Sequence, residues 1–402
     1  MTKKYAIGID LGTTHSALSY LPLDSKEGRG AGQAVLPVPQ LTAPGTIEPK
    51  SLLPSFLYLA AANEFPAGSL GLPWNKNLGL IAGELARTHG AKVPTRLVSS
   101  AKSWLGHPTV DRRAPILPWG APEDVSKVSP VDASAKYLEH LRHAWERELA
   151  PLADQEVVVT VPASFDAAAR DLTLEAAAKA GLARVTLLEE PQAALYAWLE
   201  AQGEDWRKQL KPGDVLLVVD VGGGTSDFSL IGVSDAGGEL QLERLAVGDH
   251  ILLGGDNMDL ALAFTLNEKF KAQGKTLDTW QLAALTAACR VGKEHLYEHK
   301  KAEKAPISVP GRGSSLVGGT LKTELLREEL ERVLTEGFFP QVKVSDEPQQ
   351  ARRSGLAQVA LPYAQDAGIT RHLGAFLSRQ AASLKLKTSF ARPTAVLFNG
   401  GV

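Results

Sequence analysis

The sequence predicts an α/β chain of two similar lobes, each carrying an inserted subdomain, with a cleft between them. Three observations carry this. One motif occurs twice, as Ile7-Gly8-Ile9-Asp10-Leu11-Gly12-Thr13-Thr14 and as Val218-Val219-Asp220-Val221-Gly222-Gly223-Gly224-Thr225. An apolar run follows each copy, at 17–21 and 228–233, so each reads as a β-hairpin closed by a tight Gly/Thr turn. Strand and helix patterns surround both copies in turn, which argues for one α/β unit repeated once. Glycines at the turns allow positive φ and close backbone approach, so exposed N–H groups can wrap an anion such as phosphate. The aspartate at each strand end suits a hydrated divalent cation. Two such turns can grip one polyphosphate from both sides.

In chain order, 5–21 reads as the first hairpin, and 22–55, rich in Pro, Gly and Ala, as loops and short edge strands. Residues 51–119 read as a small inserted subdomain, with a strand at 56–60 and helical stretches at 77–88 and 95–105. A helix is expected over 134–150. The run Glu156-Val157-Val158-Val159-Thr160-Val161-Pro162 is a buried strand ended by proline. Residues 166–180 are helical, capped by Ser164 or Asp166 and stopped by Gly181. A short strand follows at 185–188, and Pro191 opens a helix, where its missing N–H costs nothing. The charged stretch 203–213 is a linker or helix end that divides a first lobe, 1–205, from a second, 213–402. The second lobe starts with a strand at 215–220. It continues with two helices in 257–300, strands at 305–309 and 316–321, and a helix at 325–334, its inserted subdomain covering about 251–325. Residues 343–356 are polar, turn-rich and expected to be mobile. The last stretch, 394–402, is a strand followed by the turn Gly400-Gly401; with no helix after it, the second lobe reads as cut short at its C-terminal end.

At 402 residues the chain can form two or three domains with real cores. Its 44% hydrophobic and 22% charged residues are ordinary for a globular protein. A net charge of −2 gives no footprint for nucleic acid or an anionic membrane. No apolar stretch approaches the roughly 20 residues of a membrane span, and the N-terminus runs straight into a strand, leaving no room for a signal peptide. The lone cysteine, Cys289, excludes an internal disulfide, fits a reducing cytoplasm, and reads as a buried thiol in an Ala-rich helix. No zinc-ligand spacing and no Ser/His/Asp or Cys/His nucleophile arrangement stands out. The histidines, including His140 and His143 on one helix, are expected to face solvent.

Taken together and in this order, the motifs resemble those of the actin-like ATPase superfamily and, within it, the DnaK-type seventy-kilodalton heat-shock chaperones. The resemblance covers most of 5–260, returns at 394–402, and is weak over 300–393. It implies ribonuclease H-like lobes with a nucleotide cleft between them. By that likeness Asp10 lies near a magnesium ion, and Gly12, Thr13 and Thr14 contact phosphates. Gly222, Gly223, Gly224 and Thr225 form a second phosphate loop, with Asp220 and Asp227 toward the metal and the attacking water, the metal contacts running mostly through water. Glu190, in Glu189-Glu190-Pro191-Gln192-Ala193-Ala194, reaches the catalytic magnesium shell, although a carboxylate at a helix start is also favoured by the macrodipole alone. Lys102, in Ser100-Ala101-Lys102-Ser103-Trp104-Leu105-Gly106, resembles a catalytic lysine that neutralises charge at the γ-phosphate; the plainer reading is a surface lysine. Pro162 and Arg170 match a proline and an arginine that relay nucleotide state; a solvated helical arginine is the alternative.

Gly254-Gly255-Asp256-Asn257-Met258-Asp259 resembles the turn that opens the upper subdomain of the second lobe, and equally fits a helix N-cap by Asp256 or Asn257. Lys293 matches an adenosine-contacting lysine, and Gly400 and Gly401 an adenosine-side glycine turn. The chain departs from the family at His15, where asparagine is usual. It departs again at Arg290, Glu294 and Tyr297, where the family has an acid, a base and a small hydroxyl residue. By that resemblance the motifs for phosphate and metal are retained, base recognition is what the departures put in question, and 343–393 is an insertion relative to the family pattern.

The resemblance implies a Mg²⁺-dependent ATPase that hydrolyses ATP to ADP slowly, with K⁺ as a further candidate ion and lobe closure as a switch. The implied partners are co-chaperones, an exchange factor, and unfolded clients held by a substrate-binding region absent from these residues. Two other readings stay open. A sugar or acid kinase of the same superfamily is opposed by the segments Val161-Pro162 and 190–194. A filament-forming actin-like protein is opposed by 161–181 and 257–300.

Overall fold

The computed structural model describes residues 3–24, 32–76, 78–237, 239–311, 319–349, 361, 363–383 and 388–402. The first hairpin pairs Tyr5–Leu11 with His15–Pro22, antiparallel. Glu156–Val161 lies parallel to Tyr5–Leu11, and Thr186–Glu189 parallel to Glu156–Val161. Ala34–Val35 and Leu53–Pro54 extend the other side into a six-stranded sheet. Period-2 alternation sends Ile7, Ile9, Leu11, Val157, Val159 and Val161 into the core. Helices Pro130–Glu146 and Ala167–Lys179 cover this core, capped by Ser129 and Asp166. Gly181, at φ 85°, follows the second of them in the left-handed region that glycine tolerates.

The second hairpin pairs Val215–Val221 with Ser226–Ala236, setting Asp220 opposite Asp227. Ala395–Asn399 lies parallel to Val215–Val221, as Glu156–Val161 lies beside the first hairpin. The repeated motif therefore sits in the same local topology twice. Glu239–Val247 pairs with the outer hairpin strand and completes four strands. A second core forms around Leu217, Phe228, Met258, Leu262, Phe270 and Leu285, beneath the helices Gly255–Ala272 and Thr279–Glu298. Cys289 is fully buried in it, and burial pushes its thiol up to about 12. Among the described residues no helix is long and apolar enough to cross a membrane.

Several elements differ from expectation. Of 77–88 only Glu84–Gly90 is helical; Leu80–Ala82 is a strand on Leu57–Leu59, Gly83 at φ 91° breaks the two, and Asn77 lies outside the described residues. Of 95–105, Leu97–Val98 pairs with the same central strand and only Ala101–Leu105 is an α-helix. Short apolar runs fit a buried strand and a helix equally, and here pairing to Leu57–Leu59 decides. Half of the expected strand at 316–321, residues 316–318, lies outside the described residues; Leu321–Leu326 pairs with Lys304–Val309, so the next helix begins only at Arg327. Helical turns occupy Gly203–Asp205 and Trp206–Gln209 in the linker. The expected mobile stretch 343–356 lies partly outside the described residues, and Ile369–Ser383 is a helix. His140 does not face solvent. It shares the buried face of its helix with Tyr137, Leu141 and Ala144, and its Nε2 lies 2.9 Å from the Pro39 carbonyl oxygen. His143 is partly covered, stacked on Trp74 at 6.0 Å.

Candidate functional site

The two repeated turns meet face to face. A Cβ at Gly223 would lie 1.9 Å from Thr14 Cγ2, and one at Gly224 2.7 Å from Thr13 Cγ2 and 2.8 Å from Ser103 Oγ, so a side chain at either position must displace the threonine or serine side chain that faces it. Gly12 is equally constrained, its Cβ position being 2.1 Å from the His15 carbonyl oxygen. Two further glycine turns brace the second loop. Gly255 N donates to Gly222 O at 3.1 Å and Asp256 N to Gly223 O at 2.6 Å. Gly400, at φ 100°, packs so closely that a Cβ would lie 2.1 Å from Val221 O, and the neighbouring Asn399 Nδ2 donates to Asp220 Oδ2 at 2.9 Å. A Cβ at Gly254 would fall 2.4 Å from Gly222 O and 2.8 Å from Gly223 O, both backbone atoms that cannot rotate away. Gly254→Ala is therefore expected to lower stability by about 1–3 kcal/mol through overpacking and to displace the second loop. Denaturant unfolding measures the first effect and nucleotide affinity the second; an unchanged affinity would show that this turn does not brace the loop.

Below the turns lies a charged cluster. Lys102, on Ala101–Leu105, is buried and paired with Glu190, which opens the helix Glu190–Gln202; it is not a surface lysine. Burial alone would lower the Lys102 ammonium, but Glu190, Asp10 and Asp220 outweigh it and hold the ammonium above its ordinary value. Burial pushes Glu190 up to about 7, aided by Asp10 and Asp220 and opposed by Lys102. Asp220 is raised too, by burial and by the Asp227 charge, against the stabilising Asn399 amide. Asp10 accepts from Thr160 Oγ1 at 2.8 Å. Asp227 behaves oppositely. Burial would raise it, but hydrogen bonds from His250, Ser164 and Thr225 hold it below the usual carboxylate range.

Three carboxylates thus share one lysine, and two of them are pushed toward protonation. That excess of negative charge and its hard oxygen donors fit a divalent cation. Among the described residues no group of three or more acidic, His or Cys side chains is set to hold a bare ion.

On the far side of Gly254–Asp256 a cavity of ≈ 390 Å³ is lined by Lys293, Glu294, Tyr297, Phe339, Gly401 and Val402, among others. This is where the base pocket was expected. Lys293 reaches it while paired with Asp259 Oδ1 at 2.8 Å. Arg290 turns away from it. Its guanidinium binds Asp256 at 2.5 Å and Asp259 at 2.7 Å and lies over Phe56 at 5.5 Å, while Asp256 also accepts from Ser100 Oγ at 2.6 Å. The departure at Arg290 therefore ties the helix Thr279–Glu298 to the 51–119 insert. His15 lies nearby. Burial lowers it to about 4, with Arg87 and Arg290 adding to the effect.

Arg170 is not a free solvated arginine. It donates to Glu189 at 2.9 Å, and Arg244 of the second sheet binds the same carboxylate. Pro162 ends its strand as expected, with Phe165 N donating to its carbonyl. Sequence reasoning read Ser164 only as a possible cap of the helix that Asp166 in fact caps, and missed His250, Arg244 and Asn399. Of these three only Asn399 had a signal, as a polar residue ahead of the Gly400-Gly401 turn.

Comparison with known proteins places the fold in a class. A family model described as "Hsp70 protein" matches residues 74–347. Chaperone protein HscA of Pectobacterium carotovorum subsp. carotovorum (strain PC1) is 33% identical over 322 residues, 77% of this chain and 44% of the relative. Chaperone protein HscA of Xenorhabdus nematophila is 32% identical over 279 residues, 66% of this chain and 38% of the relative. A chaperone protein HscA homolog of Acinetobacter baylyi is 29% identical over 313 residues, 74% of this chain and 43% of the relative. The family is one of actin-like ATPase folds. The chain belongs to the Hsp70 family, and spans about two fifths of the length of the relatives it matches.

Proposed function

We propose that the chain is the nucleotide-binding part of a DnaK-like chaperone: it binds ATP between two lobes, 1–205 and 213–402, and hydrolyses it slowly. The observation that carries this is the approach of Thr13 and Thr14 to Gly223 and Gly224 above the Lys102–Glu190 pair. Backbone N–H groups of both turns bind phosphate oxygens, and the threonine hydroxyls add donors. Lys102 offsets the charge that develops on the transferred phosphoryl group, and Thr225 and Asp227 orient the attacking water. Asp10, Asp220, Asp227 and Glu190 would hold a hydrated Mg²⁺, which when bound neutralises the phosphates. No covalent intermediate is needed, because positioning and charge stabilisation supply most of the catalysis.

Lobe closure is the output. Glu189, held by Arg170 from one lobe and Arg244 from the other, supports Arg170 as the element that senses closure. The relatives are named chaperones, so client binding is assigned to a region beyond the matched part, with co-chaperones and an exchange factor acting on the switch. One fully buried cysteine suits a reducing cytoplasm. The test is calorimetry with ATP, ADP and GTP in the presence of Mg²⁺, together with phosphate release. Adenine-selective binding that weakens in Tyr297→Ala, and turnover lost in a folded Asp220→Asn, are expected. Equal affinity for ATP and GTP would remove the base-pocket assignment, and unchanged turnover in Asp220→Asn would remove the site.

A further inference from the structure

Ser164 follows the strand Glu156–Val161 of the first sheet, whereas Asp227 lies on the strand Ser226–Ala236 of the second and His250 in the loop after Glu239–Val247 of that sheet. Ser164 Oγ donates to Asp227 Oδ1, and His250 Nδ1 lies 2.7 Å from Ser164 Oγ and 3.4 Å from Asp227 Oδ1. The direction of this chain follows from what each group can do. An ionised carboxylate only accepts, so the serine proton points to Asp227; the serine oxygen then accepts from His250 Nδ1–H. The imidazole is fixed in place, edge-on to Phe165 at 5.5 Å and against Gly106. It is not a nucleophile triad. Serine and aspartate meet the same ring nitrogen, whereas a proton relay from serine needs them on opposite nitrogens, and Nε2 is buried with no hydrogen-bond partner.

We infer that Ser164 and His250 are positioning residues for ATP hydrolysis, which fix the Asp227 carboxylate only when the two sheets are brought together. The inference rests on the reading above that Asp227 faces the attacking water. Its consequence is a link between closure and chemistry. Ser164 rides on one lobe and its two partners on the other, so opening the cleft frees the carboxylate to rotate. His250 aims the serine by taking up its lone pair, which leaves the hydroxyl proton no better acceptor than Asp227.

Single-turnover ATP hydrolysis and ATP affinity, measured on the whole chain, test this. Ser164→Ala and His250→Gln are each expected to slow turnover by up to about 10²-fold, the scale of a group misplaced by about 1 Å, with affinity changed by no more than about twofold. Combining them should slow the reaction no further than the worse single change, because both act through one carboxylate. The conservative variants separate positioning from packing. An asparagine amide nitrogen falls near the position of His Nδ1 and a glutamine one near Nε2. His250→Asn should therefore recover most of the rate that His250→Gln loses, and Ser164→Thr most of what Ser164→Ala loses. Equal rates in His250→Asn and His250→Gln, or a wild-type rate in Ser164→Ala, would overturn the inference. If Asp227→Asn abolishes turnover while Ser164→Ala does not, this inference falls alone. If the unaltered chain and Asp227→Asn are equally inactive, the ATPase reading falls and takes this one with it.

Discussion

Lys102→Met is expected to reduce ATP turnover by about 10²- to 10³-fold, the cost of removing one preorganised charge from a developing oxyanion. Methionine keeps the length and apolar stem of lysine, so the change removes charge more than volume. The stability effect is smaller than for an ordinary buried ion pair. Breaking such a pair usually costs about 3–5 kcal/mol, because the remaining charge stays buried. Here the remaining group is Glu190, which burial already holds at about 7 even with Lys102 beside it. Without the ammonium it rises further and takes up a proton near neutral pH, so the variant folds with a neutral carboxyl in place of a stranded anion. A second sign follows. Proton uptake by Glu190 weakens attraction for Mg²⁺, so the variant should need more Mg²⁺ to reach half-maximal nucleotide binding. Phosphate release under single-turnover conditions, a thermal melt and a Mg²⁺ titration check the three statements. Turnover unchanged in a folded variant would place Lys102 away from the reacting phosphate.

The legible parts of this site are those in which backbone geometry demands a residue type. Three consecutive glycines at 222–224 and the Gly12-Thr13-Thr14 turn announce a close approach, and the structure shows Gly223 and Gly224 pressed against the opposite turn and Gly12 against the His15 carbonyl. Buried strands such as Glu156–Val161 and capped helices such as Ala167–Lys179 follow from alternation and cap chemistry, both local properties. Contacts set by tertiary packing are not local. Nothing near His250 or Arg244 marks them as partners of Asp227 and Glu189, because the pairing depends on how two distant sheets meet. His140 looks like a solvent-facing residue on a mixed helix until the 38–43 strand covers it. Arg290 shows the converse. Its departure from the family pattern was visible, but its consequence, a tie through Asp256 and Ser100 to the insert, was not.

Acidification is expected to destabilise the chain through its buried histidines, and His140 allows the clearest test. Burial holds its imidazole at about 4, against an ordinary 6.5. Between those values the unfolded chain binds a proton that the native state refuses, so stability is full above about 6.5 and is lost as pH falls toward 4. The whole span corresponds to about 3 kcal/mol, and the part between pH 7.5 and 5 to about 2 kcal/mol. His15, also lowered to about 4, adds in the same direction. Glu190 acts against both. Its value of about 7 lies above the ordinary 4.5, so the native state binds the extra proton and gains stability as pH falls through that window. The slope of the unaltered chain therefore mixes opposing contributions and identifies none of them. The difference between it and His140→Gln isolates one. Glutamine can still donate to the Pro39 carbonyl but does not titrate, so the variant is less stable at pH 7.5 by its poorer fit against Trp74. That gap should narrow by about 2 kcal/mol at pH 5, because only the unaltered chain pays for keeping an imidazole neutral. Denaturant midpoints at the two pH values measure it. A gap that stays constant would mean that the native state protonates His140 as readily as the unfolded chain does, and that the cover over this helix face opens in solution.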